Sequence, residues 1–302
     1  MLATAGPLPR GAGWIYETKW DGARGIVSIT PQGDLRIRTR AGNDITQQFP
    51  ELASLVDAAD GHALVLDGEI VAFDADGKPN FNRLQGRLGV TGSAAVLRSH
   101  DNPVLIAVFD LLHLDGFSTR RLPLENRRSL LQQLDFGSGA HWHLSAVHDD
   151  GDALLEITRQ AGLEGVVAKR SDSPYLPGVR TKAWVKVRNM NQDTFVVGGW
   201  VPGEGRRQDS IGSLLIGVPL DDTGGGLQWV GRVGTGFTDA EIVKLRGLLS
   251  PLVRPTSPFD ADVGDRNAVF TEPRLVISVT YLEYTGDGML RAPSYKGIVE
   301  NT

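Results

Sequence analysis

At 302 residues, 41% hydrophobic, 22% charged and with a formal net charge of -5, the chain has the composition of a folded globular protein with room for two cores, which excludes disordered and collagen-like classes. No apolar run reaches the roughly 18–20 residues that span a bilayer, and the first residues lack the charged-then-apolar pattern of a secretory leader. With no cysteine, disulfides, thiolate metal sites and a thiol nucleophile are excluded, which fits a reducing cytoplasm.

Residues 25–30 are apolar and β-branched, Pro31-Gln32-Gly33-Asp34 is a turn cluster, and Leu35 and Ile37 then alternate with Arg36 and Arg38. Together they predict a hairpin with one wet face. Helical spacing at Phe49, Leu52 and Val56, with Thr46 as N-cap, predicts a helix over 46–58. Residues 63–73 and 104–112 are nearly continuous apolar runs, as buried strands require. Helices are predicted over 124–134 and 152–161, and a short strand over 165–170. Strands with intervening helices make 1–189 a domain of mixed sheets and helices, and the whole chain α+β.

After Arg188 the texture changes. Strands are predicted over 195–200, 213–218, 227–233 and 275–284, separated by Gly-rich turns, with one helix over 239–249 capped by Thr238. About five strands and one helix predict a small β-barrel of the oligonucleotide-binding (OB-fold) type over 190–302.

The negative total argues against a polyanionic partner, but most of the acidic excess falls after residue 189. Basic residues bunch at Arg36, Arg38 and Arg40, at Arg83, Arg87 and Arg98, and from Lys169 to Arg188. A local basic track binds phosphates while the total stays negative, so composition leaves nucleic-acid binding open.

In Glu17-Thr18-Lys19-Trp20-Asp21-Gly22 a strand ends in a tight turn where Gly22 permits what a side chain would forbid. A lysine amine is a nucleophile only when neutral, yet its reference pKa is about 10.4, so nearby cations or desolvation must depress it. The bland alternative is a surface lysine in a turn. In Leu66-Asp67-Gly68-Glu69-Ile70-Val71 the two acids lie two apart on a strand and share one face. Acids inside an apolar run need a partner, and a hard divalent cation or a ribose hydroxyl supplies one; the alternative is a strand end that meets solvent. Glu164-Gly165-Val166-Val167-Ala168-Lys169 repeats the theme, and in the strand 182–188 Lys186 and Arg188 share a face. Phe109, before Asp110, offers a ring on which a base stacks, or is plain core. His141, His143 and His148 lack the spacing of a metal site and read as strand-edge residues.

Taken in order, Lys-x-Asp-Gly, Asp-Gly-Glu, Phe-Asp, Glu-Gly-Val-Val-x-Lys and Trp-x-Lys-x-Arg resemble the covalent nucleotidyltransferase superfamily, and most closely the ligase module of bacterial end-joining DNA ligases. The resemblance covers nearly the whole chain, including Arg206-Arg207 and the run from Gly231 through Arg232 to Gly236. It implies a nucleotidyltransferase (adenylation) domain at 1–189, an OB-fold domain at 190–302, and an ATP-dependent ligase with ATP and Mg2+ (or Mn2+) as cofactors. Lys19 would attack the α-phosphate of ATP, with Lys186 contacting that phosphate. Glu17 would meet the adenine edge, Phe109 the ring, and Arg24 and Glu69 the ribose. Lys169 and Arg188 complete the nucleotide site, and Glu69 and Glu164 would hold the metal. Arg40 aligns with an arginine for the 5′-phosphate of a nick, while Arg206, Arg207 and Arg232 would contact the DNA backbone. Trp200 and Trp229 are expected in the barrel core.

The implied substrate is nicked or broken duplex DNA, handled by a monomer at the nucleoid, in the cytoplasm and off the membrane. A DNA-end-binding protein and a repair polymerase are the implied partners. RNA ligases, capping guanylyltransferases and non-catalytic end-binding relatives share parts of the pattern. Two positions depart from it. Arg188 stands where many relatives have lysine, and Gly297-Ile298 runs into Val299 where they have Gly-Leu-Arg-x-Asp-Lys. The second change implies slowed self-adenylation, with Arg291 as partial compensation.

Overall fold

The structure, a computed structural model, describes residues 1–134, 136–203, 210–220 and 226–299. The chain divides into two compact units, Met1–Asn189 and Met190–Thr302.

The first unit is built on two sheets. A seven-stranded sheet runs Leu35–Thr39, Ala23–Ile29, Leu64–Ala72, Val104–Leu114, Trp142–Leu144 and Ser138–Gly139, with the short Phe117–Ser118 beside Val104–Leu114. The long apolar runs form its centre, where Leu66, Ile70, Ile106 and Val108 are fully buried. In the outer hairpin Ile37 is buried while Arg36 and Arg38 stay exposed, which is the alternation one wet face requires. A four-stranded sheet runs Leu2–Ala5, Arg180–Arg188, Gly165–Arg170 and Trp14–Thr18. Leu2–Ala5 lies parallel to Arg180–Arg188, and the other pairs are antiparallel. Helices Leu124–Gln133 and Gly151–Gln160 pack on this framework, the second capped by Asp150, whose carboxylate accepts from Ala153 N at 2.9 Å.

The expected helix over 46–58 is replaced by two 3-10 turns, Thr46–Gln48 and Pro50–Ser54, and the short helix Leu55–Ala59. Pro50 brings no N–H and starts a new segment, and Thr46 is no cap; its hydroxyl instead accepts from Ile37 N at 2.9 Å. Phe49, Leu52 and Leu55 still point into the core, so the apolar spacing survives the change of helix type. The basic group at 83–98 is also corrected. Arg87 is fully buried, its Nη1 and Nη2 donating to the two Glu51 oxygens at 2.6 and 3.0 Å, so it belongs to the interior and not to a phosphate-binding track.

The second unit is a six-stranded sheet ordered Leu227–Val233, Ile211–Pro219, Asn191–Pro202, Val269–Tyr281 and Val253–Arg254, with Ser294–Ile298 also on Val269–Tyr281. Helix Asp239–Leu249 buries Ile242, Leu245 and Leu249, and it begins with a capping box. Glu241 N donates to Thr238 Oγ1 at 3.2 Å, and Thr238 N to Glu241 Oε2 at 2.9 Å. Trp200 is buried in this core; Trp229 is half-buried and edge-on to Phe259.

Candidate active site

Lys19 follows the strand Trp14–Thr18, and its backbone N–H donates to Gly165 O at 2.8 Å. This fixes the lysine opposite Glu164, and the Lys19 ammonium forms an ion pair with Glu164 Oε2. The other oxygen, Oε1, accepts from Arg188 Nε at 2.9 Å. Two glycines make the arrangement possible. At Gly22 a Cβ would stand 2.2 Å from Ile70 O, so close packing against the neighbouring strand demands the glycine, and its φ is not in the left-handed region. At Gly165 φ is +136 and a Cβ would stand 2.1 Å from Val187 O.

Lys19 opens onto a cavity of ≈ 190 Å³ between the two sheets of the first unit. From the four-stranded sheet come Glu17, Lys19, Lys169, Trp184 and Lys186; from the seven-stranded sheet come Arg24, Glu69 and Phe109. Seven sequence-predicted side chains therefore meet here beside Trp184, and Glu164 and Arg188 join them through Lys19.

The floor is a buried ion pair. Lys169 Nζ donates to Glu17 Oε2 at 2.8 Å, with both side chains almost fully buried. The ammonium also lies 4.4 Å from the centroids of both Phe109 and Trp184. Burial pulls the Lys169 pKa down, opposed by Glu17. Among the described residues Glu17 Oε1 makes no hydrogen bond, with Arg128 Nη1 3.6 Å away; Trp20 Nε1 and Trp184 Nε1 are likewise buried without partners. Two donors and an acceptor are left for a polar, flat ligand.

On the opposite wall Arg24 and Asp67 form a bidentate pair at 2.9 and 2.5 Å, braced by Tyr175, whose hydroxyl donates to Asp67 Oδ2 at 2.7 Å. Asp67 thus faces Arg24 and leaves Glu69 as the carboxylate on the cavity. Burial pushes the Glu69 carboxyl up to about 8, against the pull of Lys19 and Arg24. Lys186 is pulled down by burial first, then by Arg188, Lys19 and Arg180. Gly68, between the two acids, sits where a Cβ would stand 2.9 Å from Ala107 O, so it is required by the close approach of Val104–Leu114.

The remaining predicted residues lie elsewhere. Arg40 lines a neighbouring cavity and not this one. In the second unit Arg232 donates to Asp265 Oδ2 and Val263 O, both at 2.9 Å. Arg206 and Arg207 are outside the described residues. The histidines serve structure: His141 Nδ1 lies 3.0 Å from Val104 O, and His143 is edge-on to Trp20. Sequence reasoning passed over Tyr175, Arg128 and Trp184. Trp184 lies inside the Trp-x-Lys-x-Arg pattern, which was the available signal; the other two sit in no motif.

Neutralised phosphates, a stacking surface and a lysine at the mouth are what transfer of a nucleotide onto an amine requires, and the class this fold and site define is the covalent nucleotidyltransferases. Residues 8–188 match the family described as "ATP dependent DNA ligase domain", and residues 207–301 match "ATP dependent DNA ligase C terminal region". The chain belongs to the ATP-dependent DNA ligase family. It is 40% identical over 303 residues to the multifunctional non-homologous end joining protein LigD of Mycolicibacterium smegmatis, covering 99% of this chain but only 38% of that one. The crystal structure of the ligase domain from Mycobacterium tuberculosis LigD superposes with a TM-score of 0.58 at 37% identity, covering 99% of this chain and 93% of that chain. A mycobacterial DNA ligase D complexed with ATP gives 0.57 at 36%, covering 100% and 94%.

Proposed function

We propose that the chain seals 5′-phosphate/3′-hydroxyl breaks in duplex DNA through an adenylate carried on Lys19, in end-joining repair. The observation that carries it is Lys19 at the mouth of a cavity whose floor offers a stacking surface and unsatisfied polar atoms. In the first step the Lys19 ammonium loses a proton to water, the neutral amine forms a bond to the α-phosphorus of ATP as the bond from that phosphorus to the bridging oxygen of pyrophosphate breaks, and the second proton passes to the paired Glu164 carboxylate. Glu17 Oε1 accepts from the adenine amino group, and the ring lies against Phe109 and Trp184. Lys186, which Lys19 and Arg188 already disfavour as a cation, is relieved by the negative phosphate it contacts. Two further transfers follow: AMP passes to the DNA 5′-phosphate, and a 3′-hydroxyl then displaces it.

Glu69 and Glu164 are the residues that would hold a magnesium ion, which supplies charge neutralisation at the phosphate oxygens. The fit is judged on Glu69. It lines the cavity and forms no hydrogen bond or ion pair among the described residues, so a hard cation suits it, and two carboxylates suffice because Mg2+ keeps waters and substrate phosphates as its other ligands.

Mixing the protein with ATP and magnesium should add one AMP to its intact mass, and Lys19→Ala should show none; GTP should not replace ATP. A nicked 5′-phosphorylated duplex should then be sealed only by the wild type. An unmodified mass would remove the reading. The end-joining setting, with a DNA-end-binding protein, a repair polymerase and a place at the nucleoid, is supported by the likeness to LigD, of which this chain spans about two fifths.

A further inference from the structure

Helix Leu124–Gln133 sends two consecutive arginines into the interior, and they are satisfied to different degrees. Arg127 is saturated. Its Nε and Nη2 donate to the two Asp110 oxygens at 2.6 and 2.8 Å, and its Nη1 donates to Leu122 O and Ser173 O at 2.6 and 2.9 Å. Arg128 is not. Its Nη1 donates to Phe109 O at 3.2 Å and its Nη2 to Ser145 O, while its Nε is buried without a partner among the described residues. The same Nη1 stands 3.6 Å from Glu17 Oε1, beyond hydrogen-bond reach, and that oxygen is itself buried without a partner among them.

Arg128 thereby joins three parts of the site. Phe109 belongs to strand Val104–Leu114, Ser145 follows the parallel neighbour Trp142–Leu144, and Glu17 lies in the other sheet. Held by two carbonyls, the planar fork presents its charge to Glu17 without consuming the lone pairs of Oε1. Lys169 takes the other oxygen at 2.8 Å and lies 4.4 Å from the centroid of the Phe109 ring. Two cations therefore flank the carboxylate, yet one of its oxygens is left as an acceptor. An acceptor there suits the 6-amino group of adenine and repels the 6-oxo group of guanine, which is an acceptor too.

We propose that Arg128 is a positioning residue for recognition of the 6-amino group, because it holds the Glu17 acceptor and the Phe109 ring in one fixed relation. The proposal rests on the ligase reading above and adds a residue outside the cavity lining and outside every motif. Without the fork, Glu17 loses the cation near Oε1 and Phe109 loses the tie on its carbonyl. The base end of the cavity then loosens, while Lys19 keeps its own partner Glu164.

The test follows single-turnover transfer onto Lys19, read by intact mass, from ATP and from purine riboside 5′-triphosphate, which lacks the 6-amino group. Half-saturating concentration and limiting rate are measured for each nucleotide. The wild type should favour ATP in half-saturating concentration by about tenfold, the worth of one charge-assisted contact. Arg128→Gln should bring the two nucleotides to within about threefold, with the limiting rate from ATP within about twofold of the wild type. Arg128→Lys, which keeps a cation but not the fork, should fall between. Loss of folded protein lowers the extent of transfer and leaves the preference untouched, so a purely structural role is told apart. A wild-type preference in Arg128→Gln overturns the proposal. If that variant yields no folded protein, Arg128→Lys decides: a reduced preference supports the proposal and an unchanged one overturns it. A wild type that accepts both nucleotides equally sinks this assignment alone; one that takes up neither sinks the ligase reading.

Discussion

Consider Lys169→Met, which keeps the length and apolar stem of the side chain but removes the partner of a Glu17 carboxylate that is only 2% exposed. The 2.8 Å bond to Oε2 disappears, and the nearest remaining cation is Arg128 at 3.6 Å. Breaking one side of a buried pair costs about 3–5 kcal/mol, and with Arg128 still present about 3 is expected. Glu17→Gln should cost less, about 1–2 kcal/mol, for two reasons. The ammonium keeps its contacts with Phe109 and Trp184, and burial already favours its neutral form, so it can shed its proton. The double variant buries an amide and a thioether and leaves only Arg128 without a carboxylate, still held by the carbonyls of Phe109 and Ser145, so it should cost about 1–2 kcal/mol, giving a coupling near 3 kcal/mol. Urea unfolding at neutral pH, followed by tryptophan fluorescence, measures all four corners of the cycle. Additivity to within about 0.5 kcal/mol would falsify the view that these two residues share one buried charge pair.

Three other outcomes follow from the same geometry. Glu69 has a folded pKa of about 8 against an ordinary value of 4.5, so the folded state holds the extra proton between them. Stability should therefore fall as pH rises through that window and level off above it, and Glu69→Gln should flatten the slope; identical denaturation midpoints against pH in both proteins would contradict the burial argument. Gly165→Ala forces a Cβ against Val187 O at a φ of +136, which should cost more than about 2 kcal/mol and lower Lys19 adenylation by displacing Glu164, read by thermal melting and intact mass. Val299→Arg supplies the cation that the family resemblance implies at this position, and single-turnover kinetics should show faster self-adenylation with sealing of pre-adenylated nicks unchanged; equal rates would show that position 299 is not limiting.

Elements with strong local signals were legible in the sequence. The strands Gly165–Arg170 and Leu227–Val233 and the helix Asp239–Leu249 begin and end where alternation, glycine and a Thr cap place them. The segment 46–58 was misread because its apolar spacing is helical while Pro50 forbids a continuous hydrogen-bond ladder, and spacing alone does not register that. The residues that line the cavity were legible because motifs hold them in fixed order. Their partners were not. Asp67 reads as a second cavity acid but is tied to Arg24 and Tyr175, the latter 108 residues away. Asp110, beside Phe109, is held by Arg127 at 2.6 and 2.8 Å, both fully buried, and no local pattern announces such a pair. Long-range ion pairs depend on which strands become neighbours, and that is decided by tertiary packing.

The four-stranded sheet joins Leu2–Ala5 and Trp14–Thr18 to partners between residues 165 and 188, whereas the seven-stranded sheet is complete by residue 144. During synthesis the larger sheet can therefore close while Lys19, the proposed nucleophile, still lacks Glu164, Lys169 and Lys186. A nascent or prematurely ended chain would be a folded half that cannot capture a nucleotide, and reactivity would switch on only once the last strand of the unit clears the ribosome.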